Sequence, residues 1–340
     1  MKRCNILSAL ALASLLAACT PHHGGTPAYT NGGGTSSGEN TFFLNLDPEG
    51  CQVDIEKKLG KTSQYTETID EAKGVRTISI NGIANHKVGN FPNSGNPNRI
   101  SEHKATYSIP LNPKFAKKTT GAQGFDTGIF FSGVSLEPFT AEFFIGSDGR
   151  MNRNWNITTL TTTENLGLDC NNAHVQPTGR YHYHGTPSAY LAEQEVAANT
   201  MTKIGYAADG FPIYYKYGYN EAGEIVVHQS GYQLKQGERP GDGKSAPDGN
   251  YNGRYFQDYE YVEGSSALDA CNGRWGKTPE SDNEYYYVVT DNFPSIPICF
   301  SGTPSDDMSK FRNGGPPPGR GGRRGPGGPP QRGRRGGEAE

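Results

Sequence analysis

Residues Asp169 to Pro187 read D-C-N-N-A-H-V-Q-P-T-G-R-Y-H-Y-H-G-T-P, the densest run of chemically capable side chains in the chain. On an extended strand successive side chains alternate between faces, so His182 and His184 share one face while Tyr181 and Tyr183 share the other. Two imidazoles side by side are one strand's share of a metal site, because neutral imidazole is a good ligand for zinc, copper or iron. His174 stands a short loop upstream and supplies a third donor if the chain folds back, with Asp169 nearby. The competing reading is a ladder of polar and aromatic residues hydrogen-bonded at a turn.

The same period-two alternation recurs outward from this stretch. Arg76–Ile83, Tyr107–Ile109, Gly128–Val134, Ala141–Ile145 and Tyr285–Thr290 read as strands. Ile204–Tyr219 reads as a strand, a turn at Asp209-Gly210 and a second strand rich in tyrosine. Asp209 is either the turn former or a carboxylate that orients a ligand histidine. Between strands lie Gly-, Pro- and Asn-rich loops. The longest, Asn85–Arg99, has His86 at its mouth as a candidate fourth ligand. One helix is expected after the histidines, with Thr186 as cap, Pro187 at its first position and Ala189–Ala198 as its body. Its start, just beyond His184, would attract an anion.

Composition agrees with this pattern. Hydrophobic content of 33%, mean hydropathy of -0.69, 46 Gly and 23 Pro lie on the polar, loop-rich side of globular chains, and 19 Tyr with 15 Phe offset the shortage of aliphatic core. The fold expected is mainly β: a single loop-rich antiparallel β domain, sandwich- or barrel-like, spanning 41–312 with one or two short helices.

Several of these segments carry a resemblance. G-R-Y-H-Y-H-G-T-P, I-G-Y-A-A-D-G-F-P-I-Y-Y (Ile204–Tyr215), L-D-A-C-N-G-R (Leu268–Arg274), N-G-I-A-N-H (Asn81–His86), Y-Y-Y-V-V-T and P-S-I-P-I-C-F together resemble the YHYH-domain proteins, from about Ile80 to Gly302. The resemblance implies a family and no particular reaction, so the chemistry rests on residues.

The ends of the chain are read as targeting and spacer segments. Lys2 and Arg3, the apolar run Ile6–Leu16 and Leu16-Ala17-Ala18-Cys19 match a bacterial lipoprotein signal, so 1–18 would be removed and Cys19 acylated. The residue after Cys19 is Thr20 and not the aspartate of inner-membrane retention, which favours the outer membrane in a host with two. Residues 19–40 read as a flexible Gly/Ser/Thr tether. Residues 313–340 read as a disordered Arg/Gly/Pro tail holding six Arg against two Glu, a net of +4; the rest of the chain then carries -3 - 4 = -7. In the cell envelope such a tail would meet anionic polymers, and no intracellular nucleic acid is expected as a partner.

With Cys4 in the signal and Cys19 lipidated, Cys51, Cys170, Cys271 and Cys299 remain. An even count in an exported, loop-rich domain points to two disulfides, with Cys51–Cys170 and Cys271–Cys299 preferred among the three pairings. The leading functional expectation is a metal- or small-ligand-binding envelope lipoprotein. The alternatives are a carbohydrate- or protein-binding module using Tyr181 and Tyr183, and a metal-dependent hydrolase drawing its acid–base groups from Asp169, Asp209 and Asp269. No G-x-S-x-G, H-E-x-x-H or phosphate-cradling loop is present.

Overall fold

A computed structural model describes residues 39–310, so the expected signal segment 1–18, Cys19, almost all of the expected tether 19–40 and the whole of 313–340 lie outside the described residues. The fold is mainly β, as its alternating sequence requires, with two short α-helices at Ile55–Leu59 and Ser188–Glu193. A three-stranded antiparallel sheet of Tyr65–Asp70, Val75–Ile80 and Ala105–Pro110 precedes the main sheet.

The main sheet has eight strands in the order Gly273–Gly276, Glu284–Val289, Pro212–Tyr215, Lys203–Ala207, Gly128–Phe130, Ser135–Leu136, Tyr181–Tyr183, Ala173–Val175. Its pairings are antiparallel except for two, Ser135–Leu136 with Tyr181–Tyr183 and Pro212–Tyr215 with Glu284–Val289.

The sheet is a duplication. At its centre Ile129 faces Tyr206, flanked by Phe130 with Gly205 and Gly128 with Ala207, so exchanging the halves maps Gly128 onto Gly205. One strand outward, Gly128 faces Leu136 and Gly205 faces Ile213. Leu136 then pairs in parallel with Tyr183, as Ile213 does with Tyr287. At the edges Tyr183 faces Ala173 and Tyr287 faces Gly273. The register therefore repeats from centre to edge.

The loops before the two edge strands repeat as well. Leu168-Asp169 and Leu268-Asp269 each precede an Asn in the left-handed region, Asn172 at φ 50° and Asn272 at φ 61°. Asp169 accepts from the Asn171 and Ala173 amides and from the Tyr181 hydroxyl. Asp269 accepts from the Cys271 and Gly273 amides and from the Tyr285 hydroxyl. An aspartate that ties off two backbone N–H groups fixes a tight turn locally, and the tyrosine locks that turn to the next strand. Disulfides Cys51–Cys170 and Cys271–Cys299 leave these same loops, in the expected pairing. They suit an oxidising, exported setting.

Tyr181, Tyr183, Tyr285, Tyr287, Phe130 and Ile213 pack into the largest core cluster. On its opposite face Ile129 and Ala208 pack at the centre against Ile78, Ile80, Tyr107 and Ile109 of the three-stranded sheet, and toward the second edge Tyr214, Tyr286 and Val288 meet Met201 and Leu268.

Two local expectations are corrected. The helix after the histidines is six residues, Ser188–Glu193, and does not run from Pro187 to Ala198: its chain turns left-handed at Glu195, φ 50°. Thr186 does not cap it, because its hydroxyl is engaged with the Thr290 carbonyl and Ser295. The Asn171 carboxamide oxygen instead accepts from the Ala189 and Tyr190 amides, at 2.9 and 3.3 Å, so the amides that were to attract an anion are taken. Gly128–Val134 is a hairpin and not one strand, since Gly133 at φ 75° turns the chain after Phe130.

Candidate metal centre

His174 and His182 sit directly opposite each other on antiparallel strands, and His184 follows at the strand end. Their rings converge: His184 Nε2 lies 3.0 Å from His182 Nε2 and 3.1 Å from His174 Nε2. Ligand nitrogens around a tetrahedral zinc with bonds of about 2.0 to 2.1 Å stand about 3.3 Å apart, so the trio is close to one face of such a site. His182 and His184 are buried and His174 half-buried, which leaves the cluster one side toward solvent.

The outer ring nitrogens decide the tautomers. His174 Nδ1 lies 2.8 Å from the Leu166 carbonyl and His182 Nδ1 3.3 Å from the Arg180 carbonyl. A carbonyl only accepts, so both Nδ1 atoms carry the proton and both Nε2 atoms present a bare lone pair, the usual arrangement behind a metal-binding histidine. His184 has one Nε2 function to offer two such lone pairs. A cation between the three Nε2 atoms would satisfy all of them. Burial, then the neighbouring imidazoles and the Lys310 cation, with Arg180 added at His182, holds His182 and His184 well below the ordinary histidine range, and the Arg180 and Pro138 carbonyls respectively oppose this. Both are therefore neutral and competent to ligate.

Beside the trio stands a residue that sequence reading did not single out. Glu137 is buried, and its Oε2 lies 3.7 Å from His182 Nε2. That oxygen accepts from Gln176 Nε2 at 2.6 Å and Arg180 Nη2 at 2.8 Å, while Oε1 pairs with Lys310. Arg180 also pairs with buried Asp126. Two carboxylates and two cations thus form a compensated cluster against the histidines, as burial of charge demands. The signal was faint: Glu137 follows a two-residue strand, and only Arg180 adjoins the histidine motif in sequence.

The other expected site residues lie elsewhere. His86 is on the tyrosine face, with its Nε2 3.1 Å from the Tyr183 hydroxyl and its ring packed against Tyr183 and Tyr190. Burial lowers its pKa to about 3, and it is not brought to the trio as a fourth donor. Tyr181 and Tyr183 are 1% and 0% exposed, so neither offers a face to a sugar ring. Their hydroxyls are spent on Asp169 at 2.7 Å and Ser132 at 2.9 Å. Asp169 also accepts from the Gly89 amide, and burial raises its pKa to about 6. Asp209 accepts from the Tyr287 hydroxyl at 2.6 Å and the Gly302 amide at 2.9 Å, far around the sheet from the histidines. Asp269 is the turn clamp described above.

Among the described residues no helix is long and apolar enough to cross a membrane. Comparison with curated proteins and with solved structures gave no match. A family model described as YHYH protein matches residues 106–302, more than half of the 340-residue chain, and encloses the trio, Glu137 and both turn aspartates, while Asn81–His86 lies upstream of it. On that match, and with the Y-H-Y-H strand bringing its histidines together as its alternation requires, the chain belongs to the YHYH protein family.

Proposed function

We propose that this protein is an exported, lipid-anchored envelope protein that binds a divalent transition metal through His174, His182 and His184. One observation carries the reading: three Nε2 atoms meet at 3.0 and 3.1 Å, and carbonyls behind two of them hold their protons on the far nitrogen. Three converging imidazoles suit zinc, copper or iron, and the Glu137 carboxylate stands beside His182. Anchoring rests on the L-A-A-C motif at Leu16–Cys19, with 19–40 as tether, 41–312 as the folded domain and 313–340 as a cationic tail toward anionic envelope polymers. Elemental analysis of the full chain beside a His182→Ala, His184→Ala variant of matching circular dichroism tests the metal. About one equivalent in the parent and none in the variant is expected; no metal in the parent after reconstitution removes the reading. Cys19→Ser tests the anchor, and is expected to move the protein from the membrane to the soluble fraction.

A hydrolase is the second reading, and Glu137 favours it. A carboxylate against a three-histidine metal with an open side is suited to accept a proton from metal-bound water. Ester turnover that is lost with chelator and in Glu137→Gln, while the metal is retained, is the corresponding test.

A further inference from the structure

Beneath the first helix lies a cavity of about 180 Å³ that the metal centre does not use. Ile55 and Leu59 of that helix, with Phe91 and Ile100 of the long loop, form its apolar wall, and Lys58 and Arg99 stand at its rim. Ile55, Phe91 and Ile100 are 3%, 5% and 7% exposed, so the wall belongs to the packed interior and not to a surface groove. Phe91 packs edge-on against Tyr181 at 6.0 Å, and the Gly89 amide on the same wall donates to Asp169. The cavity thus backs onto the tyrosine side of the family strand, away from the histidines.

Two features define what fits. An apolar cavity of around 150 Å³ is large enough to hold one benzene-sized molecule. Lys58 and Arg99 are exposed, and among the described residues neither side chain makes an ion pair or a hydrogen bond. Other exposed lysines, Lys117 and Lys118 among them, also make no ion pair, so what marks Lys58 and Arg99 is that both line this one hollow. Two unpaired cations over an apolar hollow of that size ask for an anion with a small hydrophobic body.

We propose that this cavity is a binding site for a small hydrophobic carboxylate, a single aromatic ring or a short aliphatic chain, with the carboxylate held by Lys58 and Arg99 and the body on Ile55, Leu59, Phe91 and Ile100. The site does not depend on the metal. Isothermal titration of the full chain with benzoate tests it, with benzyl alcohol and inorganic phosphate as probes of each half of the recognition. Benzoate binding is expected to exceed both. It should weaken about tenfold in Lys58→Ala, Arg99→Ala, whose positions are exposed and outside the core. Leu59→Trp, at a half-buried wall position, fills the hollow with the cations left in place and should abolish binding. Absence of benzoate binding at millimolar concentration, equal binding of phosphate or benzyl alcohol, or full binding by either variant overturns the proposal.

Discussion

The two halves of the main sheet share a scaffold and differ on one face. In both, an aspartate clamps the loop, a left-handed asparagine turns it, one tyrosine locks it and the next fills the core: Asp169, Asn172, Tyr181 and Tyr183 in the first, Asp269, Asn272, Tyr285 and Tyr287 in the second. The opposite face holds His174, His182 and His184 in the first half. At the same register the second holds Arg274, Tyr286 and Val288. There Tyr286 packs edge-on with Tyr214 at 5.3 Å, under Met201 and Leu268. Alternation explains how this division arises: residues facing the core and the turn are fixed by folding, and those facing away are free to become a ligand set in one copy and packing in the other.

The largest expected effect separates the halves by metal. A ligand that binds only the folded chain stabilises by about 4 kcal/mol when its concentration is a thousandfold above its dissociation constant. The wild-type protein should gain that much in zinc, read as a rise in Tm that chelator reverses. His184→Val installs the residue of the second half and should erase the gain while the protein still unfolds cooperatively. An undiminished zinc response in this variant would put the metal somewhere other than the trio.

Next is a difference at the hairpin turns. Ser132 meets the Tyr183 hydroxyl in the first half, and Asp209 meets the Tyr287 hydroxyl in the second. Burial raises the Asp209 carboxyl to about 6, above its ordinary range near 3.8, and its Oδ1 is buried without a partner. A carboxyl whose pKa is raised on folding binds a proton more tightly in the fold. Its contribution is fully present below about pH 4 and is lost as pH rises through 6, to a total of about 3 kcal/mol. Buried histidines such as His86 gain stability over the same rise in pH and oppose this loss in the wild type, so it is read from the difference: between pH 4.5 and 7.5 in urea unfolding, wild type should lose stability relative to Asp209→Asn. Asp169, raised in the same direction, is present in both proteins and cancels from their difference.

Equivalence of the clamps is tested by Asp169→Ala and Asp269→Ala. Each removes the acceptor of at least two amides and of a tyrosine hydroxyl, which keeps a second partner in Asn171 or Ser301, so each should cost about 2 kcal/mol in urea unfolding. A large cost at one position and none at the other would break the correspondence between the loops.

What the sequence disclosed follows the same division. Alternation in Tyr181–His184 is local, so the histidine face and the tyrosine face could be read from four residues, and the disulfides from cysteine count and setting. Partners that arrive from a distance could not: Glu137 and Lys310 reach the histidines across long separations, and Asn171 takes the capping role expected of Thr186. His86 was misplaced because a loop residue carries no periodicity to say which face it joins. The duplication did leave a mark, L-D-x-x-N at Leu168 and again one hundred residues later at Leu268. It is blurred because Gly128 and Gly205 are only 77 apart by number, so unequal insertions lie between matching strands.

The smallest predicted difference is between the disulfides of the two clamped loops. Cys51–Cys170 spans a separation of 119 residues and Cys271–Cys299 one of 28. If a crosslink acts mainly by restricting the unfolded chain, the penalty of removing it grows with the logarithm of the loop it closes, and these lengths differ by about 1 kcal/mol in that account. Cys51→Ala, Cys170→Ala should therefore be less stable than Cys271→Ala, Cys299→Ala by about that amount in urea unfolding. Equal losses would mean that both bridges act chiefly in the folded state, holding two equivalent turns in equivalent ways. That outcome would strengthen the structural correspondence of the halves, because the length of chain between the cysteines would then have ceased to matter.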